Sequence, residues 1–222
     1  MRYTAGMELT PADLSVSERY KLLIGAVTPR PIAFVSTVSV EGFLNIAPFS
    51  FFTAVGSNPM QMLFCPANTP NGNEKDTLRN AKPAAEGGQG EFVVNVVSES
   101  YARQMASAAE PLAPEESEFT FSGLTPESSR VVKPPRLAES PVSFECRTVQ
   151  VIRTNAGAPG GGNVVLGEVV HARVVDAAIN ERMHIDPSVI QTIGRMGGQS
   201  YCTTQDRFDM PMGRAALDQR GD

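Results

Sequence analysis

Lys75 and Thr77 flank Asp76 in a short stretch whose residue types suit the binding of an anion. The preceding residues, 66–73, read PANTPNGN and are rich in turn-forming types, and a short helix is predicted to follow. The start of a helix offers backbone N–H groups and the positive end of the helix dipole, and both favour a negative group. Capping of the helix by Asp76 or Thr77 would explain the same residues, so both interpretations stand at this point.

A second set of hydrogen-bonding residues lies within the apolar stretch 28–59. Pro29, Pro31 and Pro48 remove backbone donors there, so neighbouring backbone groups need other partners, and a bound ligand is one candidate. A hairpin with an edge strand and ordinary surface hydroxyls explains the pattern equally well. The polar residues of the stretch that could supply such partners include Arg30, Ser36, Thr37, Asn45, Ser50 and Thr53.

The elements that must position these residues are mostly strands. Residues 32–38 and 45–52 are rich in β-branched and aromatic types and are separated by Glu41-Gly42, so they predict a hairpin. Short helices are predicted at 17–24, with Ser17 as N-cap, and at 100–109, and residues 110–118 are expected to be acidic and exposed. Further strands are predicted at 60–65, 91–97, 140–152 and 164–176, with a glycine-rich hairpin loop at 155–163.

Length and composition favour one mainly β domain over residues 1–222, with an N-terminal arm at 1–19 and a polar tail at 213–222. The net charge of −5 argues against general nucleic-acid binding. No apolar run reaches the roughly 18 residues of a membrane span, and no secretory signal is visible, so we expect a cytoplasmic protein without a membrane partner. The C-terminal residues 208–212 are expected to pack as a strap. Gly197 and Gly198 permit close approach of the backbone to a ligand, and Gly197 as the end of a helix explains the same residues.

Several kinds of site are not supported by the sequence. The three cysteines, Cys65, Cys146 and Cys202, have no metal-binding spacing and are interpreted as small core residues. The two histidines lack neighbouring ligands, so no metal site is predicted. His171 lies on a predicted strand, where a lone histidine is more often structural than catalytic. Any difficult chemistry is therefore expected to come from a cofactor.

The stretch 28–59 resembles the opening motif of the flavin reductase-like family, the FMN-binding split barrels that include flavoredoxin-type proteins. The resemblance runs from about Leu22 to Met212 and includes Lys75-Asp-Thr77, Gly167-Glu-Val169 and Arg195-Met-Gly-Gly198. It implies a split β-barrel of Greek-key type with a few short peripheral helices. It also implies FMN as cofactor and a homodimer with the flavin near the subunit interface.

The resemblance also implies where FMN would bind. Lys75, Thr77 and Arg30 suit its phosphate, with Asp76 as a cap or an orienter of Lys75. The polar residues of the opening hairpin suit the pyrimidine edge, and Phe49, Phe51 or Phe52 an apolar floor for the ring. The expected cofactor contacts are Arg30, Pro31, Ser36, Thr37, Asn45, Ala47, Phe49, Ser50, Lys75, Asp76, Thr77, Asn80, Asn95, Arg195 and Gly198.

The expected activity is transfer of hydride from NAD(P)H through bound FMN to free flavin or another acceptor. One departure from the family pattern bears on this expectation. Many short flavin reductases carry Gly-Asp-His before the GEV strand, and that histidine is tied to nicotinamide handling, whereas this chain has Gly162-Asn163 there. The departure favours an alternative, an FMN-binding electron carrier without its own NAD(P)H site. A structural barrel that has lost FMN binding is a third possibility, disfavoured by Lys75-Asp-Thr77.

Overall fold

The computed structural model describes residues 5–218, so the ends of the predicted arm (1–4) and tail (219–222) lie outside the described residues. Among the described residues no helix is both long and apolar enough to cross a membrane. The helices are α1 (Val16–Ala26), α2 (Asp76–Ala81), α3 (Ala102–Ser107), α4 (Glu118–Ser122), α5 (Pro187–Ile190) and α6 (Ala215–Asp218). The strands are β1 (Ala33–Val38), β2 (Leu44–Phe49), β3 (Phe52–Ser57), β4 (Met60–Phe64), β5 (Glu91–Val96), β6 (Pro126–Glu127), β7 (Arg136–Leu137), β8 (Val142–Arg153), β9 (Asn163–Val174), β10 (Ile193–Arg195) and β11 (Tyr201–Thr203).

Seven strands form one antiparallel sheet in the order β2-β1-β5-β8-β9-β4-β3. The two edge strands, β2 and β3, are consecutive in the chain and are separated only by Ser50 and Phe51. So short a link brings the two edges together, and the sheet must curl into a barrel that is split between β2 and β3. The predicted mainly β split barrel is therefore confirmed. Pro48 lies on edge strand β2, where a missing backbone donor costs least.

Two apolar clusters lie on the two faces of this sheet. One is centred on Phe64, whose ring lies 5.2 Å from Phe49 and 5.1 Å from Phe92, centroid to centroid. A Cβ atom on Gly167 would lie 2.4 Å from Cζ of Phe92, so only glycine fits there. Glycine in the predicted Gly167-Glu-Val169 strand thus has a packing role. The other cluster packs under α3 and α4 and includes Phe34, Ile46, Tyr101, Met105 and Phe119.

The long β8–β9 hairpin supports the loop that leads to Lys75. The predicted glycine-rich turn is present, and its carbonyls at Ala158 and Asn155 accept hydrogen bonds from Nδ2 of Asn68 at 3.0 and 3.4 Å. A Cβ atom on Gly72 would lie 2.2 Å from the carbonyl oxygen of Gly157. The 66–75 loop and the hairpin tip are therefore in backbone contact.

Two predicted helix boundaries are wrong. The first helix is capped by Ser15 rather than Ser17, because the Ser15 hydroxyl accepts the Glu18 N–H at 3.2 Å and the Glu18 carboxylate accepts the Ser15 N–H at 2.8 Å. Gly197 does not end a helix. The residues before it form β10, which pairs with β11, and the backbone of Arg195 exchanges hydrogen bonds with that of Arg30 at 2.8 and 2.9 Å.

Two predictions of exposure are also wrong. Residue Glu118, expected on the surface with its acidic neighbours, is 7% exposed and begins α4. Phe208, Met210 and Met212, expected to pack as a strap, are instead exposed on this chain. Apolar side chains left in solvent indicate a surface that can be covered by another molecule.

Candidate functional site: a cleft between strand β2 and helix α2

A cavity of about 340 Å³ lies between β2 and the start of α2. On its third side the cavity is closed by residues 108–112, which follow α3, and by Glu118. The cavity volume falls within the range of small-molecule pockets. Six of the residues predicted to contact a cofactor line it together: Asn45, Ala47, Phe49, Lys75, Asp76 and Thr77.

A second cavity of about 460 Å³ adjoins the first and shares several wall residues with it, including Asn45, Asp76 and Glu118. Asn80, another predicted residue, lines this second chamber. The two chambers together form a cleft along β2 and α2.

Two cations line the first chamber, Lys75 and Arg79, and of these Lys75 is not paired with a carboxylate of the described residues. Its neighbours are already paired, because Glu74 contacts Lys82 and Arg153 at 3.1 and 2.8 Å, and Asp76 bonds to Arg79. Within residues 5–218, Lys75 itself forms no ion pair. The surrounding protein, although it leaves the side chain open to solvent, lowers the pKa of Lys75 below its usual value by desolvation. An anion beside Lys75 would stabilise its charged form.

The interpretation of Asp76 or Thr77 as a helix cap is not supported. Helix α2 begins after Lys75 without a hydrogen bond from any capping side chain. Asp76 is used in its ion pair with Arg79, and the Thr77 hydroxyl donates to Oδ1 of Asn45 at 2.8 Å. Both side chains thus fix α2 against itself and against β2, and they leave Lys75 to face the cavity.

A buried hydrogen-bond network joins β1, β2 and α2 behind the cavity wall. Oδ1 of Asn45 accepts from the hydroxyls of Thr37 and Thr77 at 3.0 and 2.8 Å, and Nδ2 of Asn80 donates to Oγ1 of Thr37 at 3.1 Å. All four residues are buried. Thr37 therefore supports the cleft from behind, while Asn45, Thr77 and Asn80 both support the cleft and line it.

Glu118 completes this network and was missed by the sequence analysis. Its carboxylate accepts both bonds from Nδ2 of Asn45, at 2.9 and 3.0 Å, and one from the backbone N–H of Ile46 at 3.0 Å. Burial raises the pKa of the Glu118 carboxyl above its usual value, although these hydrogen bonds oppose the shift. The carboxylate supplies acceptors that edge strand β2 lacks on its outer side, and so it anchors the segment that closes the cleft.

Ser36 and Asn95 lie outside the cleft, on the part of the sheet that faces residues 135–143. Oδ1 of Asn95 accepts from the Leu137 N–H and from the Ser143 hydroxyl, both at 2.9 Å, and its Nδ2 donates to Ser36 at 3.2 Å. The Ser36 hydroxyl donates to the Pro135 carbonyl at 2.5 Å. Both side chains are fully buried, and their bonds fasten this loop to the sheet.

Arg30, Pro31, Ser50, Arg195 and Gly198 form a separate group at the junction of α1, β2 and β10. The guanidinium of Arg30 is buried and donates to the carbonyls of Ile24, Val27 and Met196 and to the Ser50 hydroxyl. Arg195 donates to the Gly198 carbonyl at 2.6 Å and stacks 4.4 Å from the Tyr201 ring centroid. In this chain the donors of Arg30 are used to tie elements together.

His171 also lies away from the cleft. It is on β9, and its Nδ1 is 3.3 Å from Oε1 of the buried Glu145. Asn163, which stands where many family members have a histidine, is buried and donates to the Pro66 carbonyl at 3.0 Å and to Asn68 at 2.8 Å. Neither residue lines either chamber.

The cleft also contains residues that no pattern marked as functional. Thr69, Asn71 and Asn73 line the first chamber, and the sequence identified them only as turn formers. Residues 108–112 close the chamber, and the sequence identified them only as the end of a helix. The concentration of hydroxyl and amide groups just before Lys75 was the one available signal.

Comparison with known proteins agrees with this fold. Residues 25–192 match the sequence model of the family described as "Flavin reductase like domain". An uncharacterized protein of Aquifex aeolicus is 38% identical over 195 residues, which cover 88% of this chain and 94% of the relative.

Two solved structures share the fold. Nitrilotriacetate monooxygenase component B from Bacillus cereus has a TM-score of 0.86 and 32% identity, covering 94% of this chain and all of that one. The 2-nitrobenzoate 2-nitroreductase NbaA from Pseudomonas fluorescens has a TM-score of 0.80 and 29% identity, with 94% and 97% covered. On the evidence of its matched residues and its split barrel, the chain belongs to the flavin reductase-like family.

Proposed function

We propose that the chain is an FMN-dependent oxidoreductase that binds FMN in the β2–α2 cleft and accepts hydride from NAD(P)H. Membership of the flavin reductase-like family supports a flavin cofactor. The observation that carries the proposal is Lys75, a cation that no carboxylate of the described residues neutralises, at the wall of a cavity that suits a small molecule.

The residues present fit FMN in their chemistry. The Lys75 ammonium, with the hydroxyl and amide groups of Thr69, Asn71 and Asn73, would hold the phosphate. Ala47, Pro48 and Phe49 form an apolar part of the wall of the same chamber and would face the ring. When bound, the flavin would supply the hydride-accepting chemistry. The protein would bind it, orient it and, through residues 108–112, limit the access of water.

An electron carrier without its own NAD(P)H site is a second candidate. The specific observation in its favour is the position of the histidines. His171 is held by Glu145 outside the cleft, and Asn163 uses its amide in structural bonds. No histidine in the described part of the chain lines either chamber. The nicotinamide would then have to be placed by other groups, or electrons would arrive from another protein.

A homodimer is also part of the proposal. Helix α1 exposes Val16, Tyr20 and Leu23, and the C-terminal residues 208–212 expose Phe208 and Met212. Apolar patches of this kind commonly mark protein interfaces. Sedimentation velocity would test the proposal, with a monomer mass at micromolar concentration as the contrary result.

One anaerobic experiment separates the candidates. The purified protein is mixed with FMN, its visible spectrum is recorded, and NADH or NADPH is added. Flavin absorbance that shifts on binding and bleaches with the nucleotide would support the oxidoreductase. Bound flavin that bleaches only with dithionite would support the electron carrier. Failure to bind FMN in a titration would contradict both.

A further inference from the structure

A second group of basic residues surrounds an open groove that has no lining residue in common with the β2–α2 cleft. The groove lies along β9 and the segment that joins β6 to β7, and its volume is about 470 Å³. Its polar lining residues are Ser128, Arg130, Arg136, His171 and Arg173. The proposed FMN site makes no use of them.

The positive charge in this groove is only partly compensated. Arg136 bonds to the Glu127 carboxylate at 2.6 and 3.2 Å. Neither Arg130 nor Arg173 forms an ion pair within 4 Å of any carboxylate of residues 5–218. Arg173 donates to the Ser140 carbonyl at 3.4 Å, and its charge helps Arg136 to lower the pKa of the Glu127 carboxyl. Like charges that converge on one groove repel each other, and an anion bound between them removes that cost. The excess is notable in a chain whose net charge is −5.

The buried carboxylate beneath the groove forms no ion pair with the three arginines. Glu145 is 1% exposed, and its two oxygens accept the backbone N–H groups of Arg130 and Val131 at 2.8 and 2.7 Å. It thus fixes the loop that carries Arg130. Oε1 also lies 3.3 Å from Nδ1 of His171, an atom that is buried without a well-directed hydrogen bond. The imidazole is therefore positioned between this carboxylate and the groove.

We propose that this arginine groove is a second anion site that binds a phosphate group carried by a small molecule. Guanidinium groups offer paired N–H donors that match phosphate oxygens. Several guanidiniums beside an imidazole offer more donors than the two oxygens of a carboxylate can accept, so the groove suits a phosphate better than a carboxylate. The site is independent of FMN binding at Lys75. The phosphate can be free or part of a nucleotide, and the test distinguishes the two.

The chain has only two histidines, so proton NMR of their ring signals gives a direct test. Inorganic phosphate, adenosine 2′-monophosphate and acetate are each titrated into untagged protein at constant ionic strength. We expect phosphate and the nucleotide to shift the His171 signal to saturation while His184, on an exposed turn, stays unchanged. Tighter binding of the nucleotide would assign the groove to a phosphorylated metabolite, and equal binding to free phosphate.

Matched variants make the test specific. Arg173→Gln and the exposed Arg130→Gln should each weaken phosphate binding about tenfold or more, consistent with a lost charge-assisted bond. Arg182→Gln, beside His184, should leave it unchanged. The proposal is overturned if His171 does not respond, if acetate binds as well as phosphate, or if the groove variants bind normally. It is also overturned if the groove variants leave phosphate binding unchanged and alter only the sedimentation coefficient, since the arginines would then serve association between copies of the chain. FMN binding, read from the visible spectrum, should be unaffected throughout.

Discussion

The carboxylate of Glu118 accepts two hydrogen bonds from the side-chain amide of Asn45, 73 residues earlier in the chain. Through Oδ1 of Asn45 the same contact reaches Thr77, one residue from the pair Lys75-Asp76. The segment that closes the cleft and the residues that would hold a phosphate are therefore mechanically connected. Changes at Glu118 should therefore alter the proposed cofactor site.

Replacement of Glu118 should reduce both stability and FMN affinity. Glu118→Ala leaves the Ile46 N–H and the Asn45 amide without acceptors and should cost about 2–4 kcal/mol in the free energy of unfolding. Glu118→Gln keeps one acceptor and should cost about 1–3 kcal/mol. Urea denaturation would measure both values, and FMN titration of the folded Gln variant would measure the affinity. The exposed Glu181→Gln serves as control, and equal stabilities for the Glu118 and Glu181 variants would contradict the anchoring role.

The pH dependence of stability should also reveal Glu118. Burial raises its pKa above the ordinary 4.5, so the folded protein binds this proton more tightly than the unfolded chain does. The resulting stabilisation is fully present below the unfolded pKa and is lost as the pH rises through the folded pKa. The stability of the native protein relative to Glu118→Gln should therefore increase as the pH falls through this window. Denaturation of both proteins from pH 7.5 to 4.5 would measure it, and a relative stability that falls with pH would show that the ionised form is favoured.

Removal of the Lys75 charge should weaken FMN binding without unfolding the protein. Lys75→Met keeps a side chain of similar length but removes its charge. Loss of one charged contact should raise the FMN dissociation constant about tenfold or more. Lys21→Met on exposed helix α1 is the matched control. Riboflavin, which lacks the phosphate, should bind both variants equally. An equal loss of riboflavin affinity in Lys75→Met would show that the lysine does not act on the phosphate.

Gly167 should not tolerate a side chain. A Cβ atom added there would lie 2.4 Å from the Phe92 ring, which is fully buried, so Gly167→Ala must displace a core residue. We expect a loss of about 1–3 kcal/mol in unfolding free energy. When Phe92 is already replaced by leucine, adding Gly167→Ala should lower the unfolding free energy by less than it does in the native protein. Strictly additive effects of the two changes would argue against a direct contact.

Local patterns were sufficient to predict strands β1, β2, β4, β5, β8 and β9, but not β3 or the short strands β6, β7, β10 and β11. The alternation across Val142, Phe144, Cys146 and Thr148 and the Glu41-Gly42 turn predicted β8 and the β1–β2 hairpin, because each signal depends on neighbours in sequence. The burial of Asn95 with its hydrogen bonds could be predicted in the same way, since a polar residue inside an apolar run needs partners.

Long-range pairings could not be predicted in this way. Glu118 follows two other glutamates and looked exposed, and only the approach of β2 explains its burial. Arg195 and Gly197 looked like a helix end, but residues 193–195 pair with β11, and the backbone of Arg195 also bridges to that of Arg30, far away in sequence. Lys75 remains a predicted phosphate contact. Its motif could be recognised from neighbouring residues, whereas the cavity that it lines is formed by segments that are distant in sequence.

The contact between Gly72 and Gly157 has a consequence for protein engineering. Long, exposed, glycine-rich hairpin loops are usually chosen for inserting tags or fused domains, because insertions there disturb little. Here the hairpin tip carries the loop that presents Lys75, through Asn68, Gly72 and the Glu74–Arg153 ion pair. A peptide inserted at residues 155–162 would shift that loop. The tip of this hairpin is therefore a poor site for fusion, although it is distant in sequence from Lys75.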